Sequence, residues 1–384
     1  MWAEVREKAA TWLEAMSPRA RRAVGLMLVA IVAIAATSVY YLRPWIEQRP
    51  AAAASLTGTS AEQPAYIFNY DFKSPALGWA VEIEAKQGPP PDAGRYWVFR
   101  TVDGGRHWQR QLRGQSQMVW LTFATLQFVD LRTGFLVAGD PMSLYRTRDG
   151  GDHWTSLALP ANADMVQFVD AARGWAATGS DLYSTSDAGG TWNAPKKLPT
   201  DTMGSPPTFR DGSEGWVGGG GTNVQPHVYT TRNGGLSWRR LDLPRSTDAV
   251  PDIPAGTYVQ LLPGHGVVVN VFQQGPGTTY TYTTFDGGTS WTVLAVPPTT
   301  GGNLGRLAFE DATHWWMVFA PSKQLFKTAD AGQTWTQVDI YLPAQVQQLQ
   351  ILDARHAWGM TGDGLAFTSD GGTSWTLVKL PTET

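Results

Sequence analysis

The chain has 384 residues, with 30 Lys and Arg against 33 Asp and Glu, and no cysteine. That length supports a large core; the missing thiols exclude a disulfide scaffold, a Cys-ligated zinc and a cysteine nucleophile; and a formal charge of −3 gives no global pull toward nucleic acid. With 41 glycines, 25 prolines and only 16% charged residues, the composition predicts an all-β body of short strands joined by turns.

The first sixty residues have a different character. In residues 1–22, Trp2, Val5, Ala9, Trp12, Leu13 and Met16 recur at helical spacing among charged neighbours, which predicts an amphipathic, basic segment on the cytoplasmic side. A plain solvated helical tail is the equal alternative. Residues 23–42 contain no charged side chain. At about 1.5 Å per residue they reach roughly 30 Å, the thickness of a bilayer's hydrocarbon layer, so one transmembrane helix is expected. Arg6, Lys8, Arg19, Arg21 and Arg22 precede this stretch, whereas only Arg43 and Arg49 follow closely. That bias places the N-terminus in the cytoplasm and the remainder outside, on the cell membrane. A cleaved signal peptide is the rival reading, although its apolar stretch is usually about 7–15 residues. Residues 43–63 read as a flexible linker.

From residue 64 onward one unit returns seven times. Its clearest part is the octad Thr-x-Asp-(Gly/Ala)-Gly-x-x-Trp. Its acid and indole are Asp103 and Trp108, Asp149 and Trp154, Asp187 and Trp192, Asn233 and Trp238, Asp286 and Trp291, Asp330 and Trp335, and Asp370 and Trp375. Successive copies are 46, 38, 46, 53, 44 and 40 residues apart, the length of a four-stranded blade. The roles expected of the octad are structural. The Asp accepts backbone N–H bonds across its turn, the second glycine supplies a positive φ, and the Trp fills the gap between layers. Asn233 keeps an amide oxygen and should support the same turn. One carboxylate per turn is too sparse an oxygen set for calcium.

About twenty residues before each octad, an apolar stretch ends in an acid and a turn leads to Gly-aromatic, as in Phe128-Val-Asp130 to Gly134-Phe135 and Phe168-Val-Asp170 to Gly174-Trp175. The fifth unit is weakest, with Gly266-Val267 and no aromatic. Each unit thus predicts four antiparallel strands, A to D, and the whole predicts a seven-bladed β-propeller over residues 64–384. The expected blades are approximately 64–117, 118–160, 161–199, 200–245, 246–298, 299–344 and 345–384. Whole blades at both ends suggest a ring closed without strand exchange, with closure by a swapped strand the open alternative. The run Gly218–Gly221 reads as a loop between strands B and C. Gln127, Gln167 and Gln350 recur near the ends of A strands, facing the channel or bonded as buried amides.

The octad resembles the Asp-box, or bacterial neuraminidase repeat. The longer pattern, as in Gly139-Asp-Pro-Met-Ser-Leu-Tyr145-Arg-Thr-Arg-Asp-Gly-Gly151, resembles the photosystem II stability/assembly factor family of seven-bladed propellers. That resemblance implies a non-enzymatic assembly or stability factor for a membrane complex. Secreted sialidases share the Asp-box, but their Arg-Ile-Pro or Arg-Leu-Pro motif is absent. A glycoside hydrolase, or a carbohydrate- or pigment-binding module, remains the alternative. His107 and His153 occupy an octad position held elsewhere by Ser or Thr and read as turn residues. No catalytic, cofactor-binding or metal-ligating residue is expected, and no cofactor.

Partners are expected to be the membrane, through the single span, and a protein. Up-and-down strands put the B–C and D–A loops on one face and the A–B turns and Asp-boxes on the other. Long insertions fall on the first face, making Arg95, Arg113, Asp140, Arg240, Arg245 and Asp252 the expected partner-binding residues.

Overall fold

The computed structural model describes residues 66–84, 94–116, 124–139, 142–160, 163, 165–202, 205–222, 224–245, 254–273, 280–297, 305–362 and 364–378. The amphipathic segment, the membrane span and the linker expected at 1–63 therefore lie outside the described residues. Seven antiparallel sheets follow one another along the chain. Their A strands are Tyr66–Phe72, Ala124–Phe128, Met165–Phe168, Thr208–Phe209, Ala255–Leu261, Arg306–Phe309 and Gln348–Ile351. Strands A to D are consecutive within the first and last sheets, so the ring closes by side-chain contacts and not by a borrowed strand. The all-β seven-bladed propeller is thus observed.

The octads explain the C–D turns. In blade one, the Thr101 hydroxyl donates to Asp103 Oδ1 at 3.0 Å and accepts the Gly105 N–H at 2.8 Å. The other end of the turn closes when the His107 N–H donates to the same carboxylate oxygen at 2.9 Å. Asn233 repeats this geometry, accepting the Ser237 N–H at 3.0 Å. Both glycines of the octad need positive φ, 70° and 79° in blade one. Ala188 and Ala331 tolerate φ of 63° and 58° at the first position, because the residue's own N–H gains a bond there. Ala188 donates to the Ala172 carbonyl of its A–B turn at 2.7 Å, and Gly150 to Arg132 at 2.8 Å. The C–D turn is thereby sewn to the A–B turn of the same blade. In blades two, three, four, six and seven the A–B turn is itself tightened by an Asp, as where Asp130 Oδ1 accepts the Arg132 and Thr133 amides at 2.7 and 2.6 Å.

The seams between blades are filled by rings. The strand-B aromatic of one blade stacks on the A-strand Phe of the next: Trp79 on Phe128 at 3.6 Å, Phe135 on Phe168 at 3.5 Å, and Trp175 on Phe209 at 3.8 Å. Trp358 on Phe72, at 3.8 Å, closes the ring. The octad indoles fill the outer part of these gaps as expected, one packed against each of the seven inter-blade clusters. They are only half-buried and meet the same Phe edge-on, as Trp108 does Phe72 and Trp154 does Phe128. The fully buried indoles belong to strand B: Trp79, Trp216, Trp315, Trp316 and Trp358. Alternation places the strand-B ring in the inter-blade gap, whereas the octad Trp sits one turn farther out, beside solvent.

The recurrent glutamines are half-buried amides bonded across the seams. Gln127 donates to the Phe168 carbonyl at 2.7 Å and accepts the Phe168 N–H at 3.0 Å, bracketing the backbone of the next A strand. Gln167 does the same to Phe209, at 3.0 and 2.8 Å, and Gln350 to Phe72, at 2.9 Å for both bonds. An innermost strand has no ladder partner on its channel side, and each bracket satisfies the groups it leaves open. In blade one Asp71 stands at this position: it accepts the Phe128 N–H at 2.7 Å but, having no donor, leaves the Phe128 carbonyl unbracketed, while its other oxygen takes Lys73 and the Gln350 amide.

The run Gly218–Gly221 is not the loop that was expected. Gly220–Gly221 forms a short strand paired with Ala255–Gly256 of blade five, whose sheet therefore has five strands. The glycines permit this close approach: a Cβ on Gly218 would lie 1.9 Å from the Thr257 carbonyl oxygen.

Candidate functional site

Two faces compete as the functional surface. Of the residues expected on the B–C and D–A face, Asp140 and Asp252 lie outside the described residues. Arg95 is committed to an ion pair across its own blade, Nε to Glu84 Oε2 at 2.5 Å, with its guanidinium 5.4 Å from the Trp97 ring centroid. Arg240 pairs with Asp242 at 2.8 Å and lies 3.8 Å from Asp201. Arg113 and Arg245 are exposed. The structure therefore spreads the expected contact residues over several blades and occupies two of them in local pairs.

The opposite face holds a concave site that sequence reasoning missed. A cavity of about 560 Å³ is lined by Asp130, Leu131, Arg132 and Thr133 of the second A–B turn, Arg148 of the second octad, and Ala171 of the third A–B turn. Three constraints shape it. Asp130 fixes its turn by accepting two amides, the Gly150 N–H ties the octad to the Arg132 carbonyl, and the Gln127 bracket sets the distance to blade three. Leu131 is 57% exposed at the rim. Two guanidinium groups beside an apolar side chain can hold a carboxylate and cover a hydrophobic residue together. In sequence each residue looked like an ordinary solvated turn residue; only blade packing brings them together.

The electrostatics of this face are those of tightened turns. Backbone and side-chain hydrogen bonds from His107 hold the Asp103 carboxyl down to about 2. Thr191 does the same for Asp187, and Thr328 with Thr334 for Asp330, each down to about 2. The His153 ring, 2.7 Å from Asp149, has its pKa raised by that carboxylate. His107 and His153 thus take the bonding role of the octad Ser and Thr. Among the described residues no cluster of His, Asp and Glu could hold a metal ion.

Residues 66–211 match a family model described as Photosynthesis system II assembly factor YCF48. Among solved structures, YCF48 bound to D1 peptide is similar with a TM-score of 0.54 and 16% identity, covering 82% of this chain and 98% of that one. YCF48 from Cyanidioschyzon merolae gives 0.54 and 15%, covering 81% and 97%. The GH74 enzyme of Niastella koreensis gives 0.51 and 14% over 83% of this chain, which spans about half of that enzyme, 55%. At such identities these likenesses show the fold alone. No curated protein sequence matches the chain. The resemblance carried by the repeats is borne out: over residues 66–211, which span blades one to three and the first strand of blade four, the chain matches the photosystem II stability/assembly factor family of Asp-box propellers.

Proposed function

We propose that the chain is a non-enzymatic, membrane-tethered propeller that binds a protein partner on the extracytoplasmic side, as an assembly or stability factor for a membrane complex. The observation that carries this reading is the position of the cavity. Every residue lining it lies between Asp130 and Ala171, inside the stretch matched by the assembly-factor family. The chemistry suits a short polypeptide segment that offers an apolar side chain and a carboxylate to Leu131, Arg132 and Arg148. A solved relative is bound to a peptide, which makes peptide binding a natural use of the fold. The charge-free residues 23–42 support the tether.

Affinity purification of the full chain in mild detergent tests the reading. A stoichiometric companion protein is expected, lost at least tenfold with Arg148→Glu and retained with Arg245→Glu on the opposite face. Recovery of the chain alone counts against a scaffold. Release of sugar from a glucan or sialoside would instead favour the glycosidase alternative. The tether is checked separately: the chain should resist alkaline carbonate extraction, and externally added protease should reach the propeller on intact cells stripped of any outer layer.

A further inference from the structure

We propose that Asp201 and His227 form a pH-operated latch that fastens the added strand of blade five to blade four. The His227 ring is fully buried. Both of its nitrogens face oxygen: Nδ1 lies 2.8 Å from the Gln225 backbone carbonyl, and Nε2 lies 3.0 Å from Asp201 Oδ2. A carbonyl only accepts, so Nδ1 carries a hydrogen. The contact with Asp201 needs a second hydrogen, on Nε2 or on the carboxyl. In either arrangement the closed pair holds one proton more than a neutral imidazole beside a free carboxylate.

The surroundings keep Asp201 in its carboxylate form. The Tyr229 hydroxyl donates to Asp201 Oδ1 at 2.7 Å, and Arg240 stands 3.8 Å from Oδ2. Burial pushes the Asp201 carboxyl up, but the Tyr229 hydroxyl and the His227 charge outweigh it and hold the group below the usual carboxylate range. Asp242, the cross-strand partner of His227, engages Arg240 at 2.8 Å. Among the described residues, strand A of blade five and the glycine run contribute uncharged groups to the packing around the ring: Thr257, Gly219 and Gly220. Asp201 itself is 32% exposed, so the proton has a route to solvent.

The pair controls the glycine run directly. The ring lies against Gly219, where a Cβ would sit 2.3 Å from Nε2. The Gly220 N–H donates to the Asp201 carbonyl at 2.9 Å, the Gly219 N–H to the Thr257 hydroxyl at 2.8 Å, and the Thr257 N–H to the Gly219 carbonyl at 3.0 Å. Loss of the shared proton leaves a carboxylate facing a nitrogen lone pair in a buried place. Because the closed state holds the extra proton, closure is favoured at low pH and weakens as pH rises, by at most about tenfold per unit for one proton. The B–C and D–A face thereby changes its shape with pH.

Amide hydrogen exchange on the full chain in detergent tests the latch, from about pH 6 to about pH 9, corrected for intrinsic exchange. Opening at Gly219, Gly220 and Thr257 should rise roughly three- to tenfold per pH unit, while Gly150 in blade two stays flat. In Asp201→Asn the amide can donate to Nε2 without an extra proton, so the slope should vanish. A flat wild type, or an unchanged slope in Asp201→Asn, overturns the proposal. Nitrogen NMR of the His227 ring offers an independent reading: both nitrogens should be protonated at about pH 6, and a neutral tautomer there overturns it as well.

Discussion

The seams from blade seven through blade four and the seams around blades four to six solve one problem with different chemistry. In the first group an aromatic pair stacks across each gap, and a Gln or Asp bonds the next A strand. Arg146 adds a link from strand C of blade two to the Asp187 and Ala188 carbonyls of blade three, at 3.2 and 3.1 Å. In the second group the bracket position holds Thr208, Leu261 and Ala308, which cannot span the gap with an amide. Arg210 substitutes there. Its guanidinium donates to the Leu262 and Gly266 carbonyls at 2.6 and 2.8 Å, and to Gly264 as well. Blade five, lacking an A–B Asp and carrying Val268 where other B strands place an aromatic, relies on packing of Val268 with Leu294 and Trp315, and on the strand lent by blade four. Uniform octads therefore do not imply uniform seams: the C–D turn is a local device, whereas a seam needs two blades to agree.

The largest effect should come from emptying an aromatic seam. Trp358→Ala at the closure is expected to cost about 3–5 kcal/mol in chemical unfolding, whereas Val268→Ala at the aliphatic seam should cost about 1.5–2 kcal/mol by the methyl groups removed. Equal costs would erase the contrast between the two regions. Arg210→Met removes a charged donor from three carbonyls and should cost about 2–3 kcal/mol, with limited proteolysis cutting first near blade five. Removing one bracket is milder: Gln167→Ala is expected to lose about 1–2 kcal/mol, read by thermal unfolding. The octads supply the smallest and most uniform effect. Asp103, Asp187, Asp330 and Asp370 all have pKa values depressed to about 2. Their contribution is present above the ordinary carboxylate value near about 4 and is lost as pH falls toward about 2. An Asp370→Asn variant should keep the fold at neutral pH, as Asn233 does, and flatten part of that acid limb. A wild type whose stability does not change between about pH 4 and about pH 2 would contradict the depressed values.

Much of the local structure was legible because it is local. The Thr, Asp and Gly of each octad bond within five residues, so spacing alone predicts the turn and the positive φ. The turn role of His107 follows from its position among Ser and Thr. The seam rings were harder to read: strand B and the octad both carry an indole, and only inter-blade packing decides which one is buried. Gln127, Gln167 and Gln350 could be noticed but not assigned, since their partners lie about forty residues away along the chain, or across the closure. The cavity at Leu131 and Arg148 gave no signal at all, because exposed turn residues look alike whether or not a neighbouring blade shapes a hollow between them.

The sequence by itself determined the repeat, the number of blades, the strand order and the chemistry of every C–D turn, since these rest on short-range hydrogen bonds and on a pattern counted along the chain. The tertiary structure alone decided how neighbouring blades are joined, that a glycine run becomes a strand of the next sheet, and where two arginines and a leucine frame a hollow. Those outcomes depend on contacts between segments distant along the chain, where fit and the satisfaction of buried polar groups, not spacing, select the result.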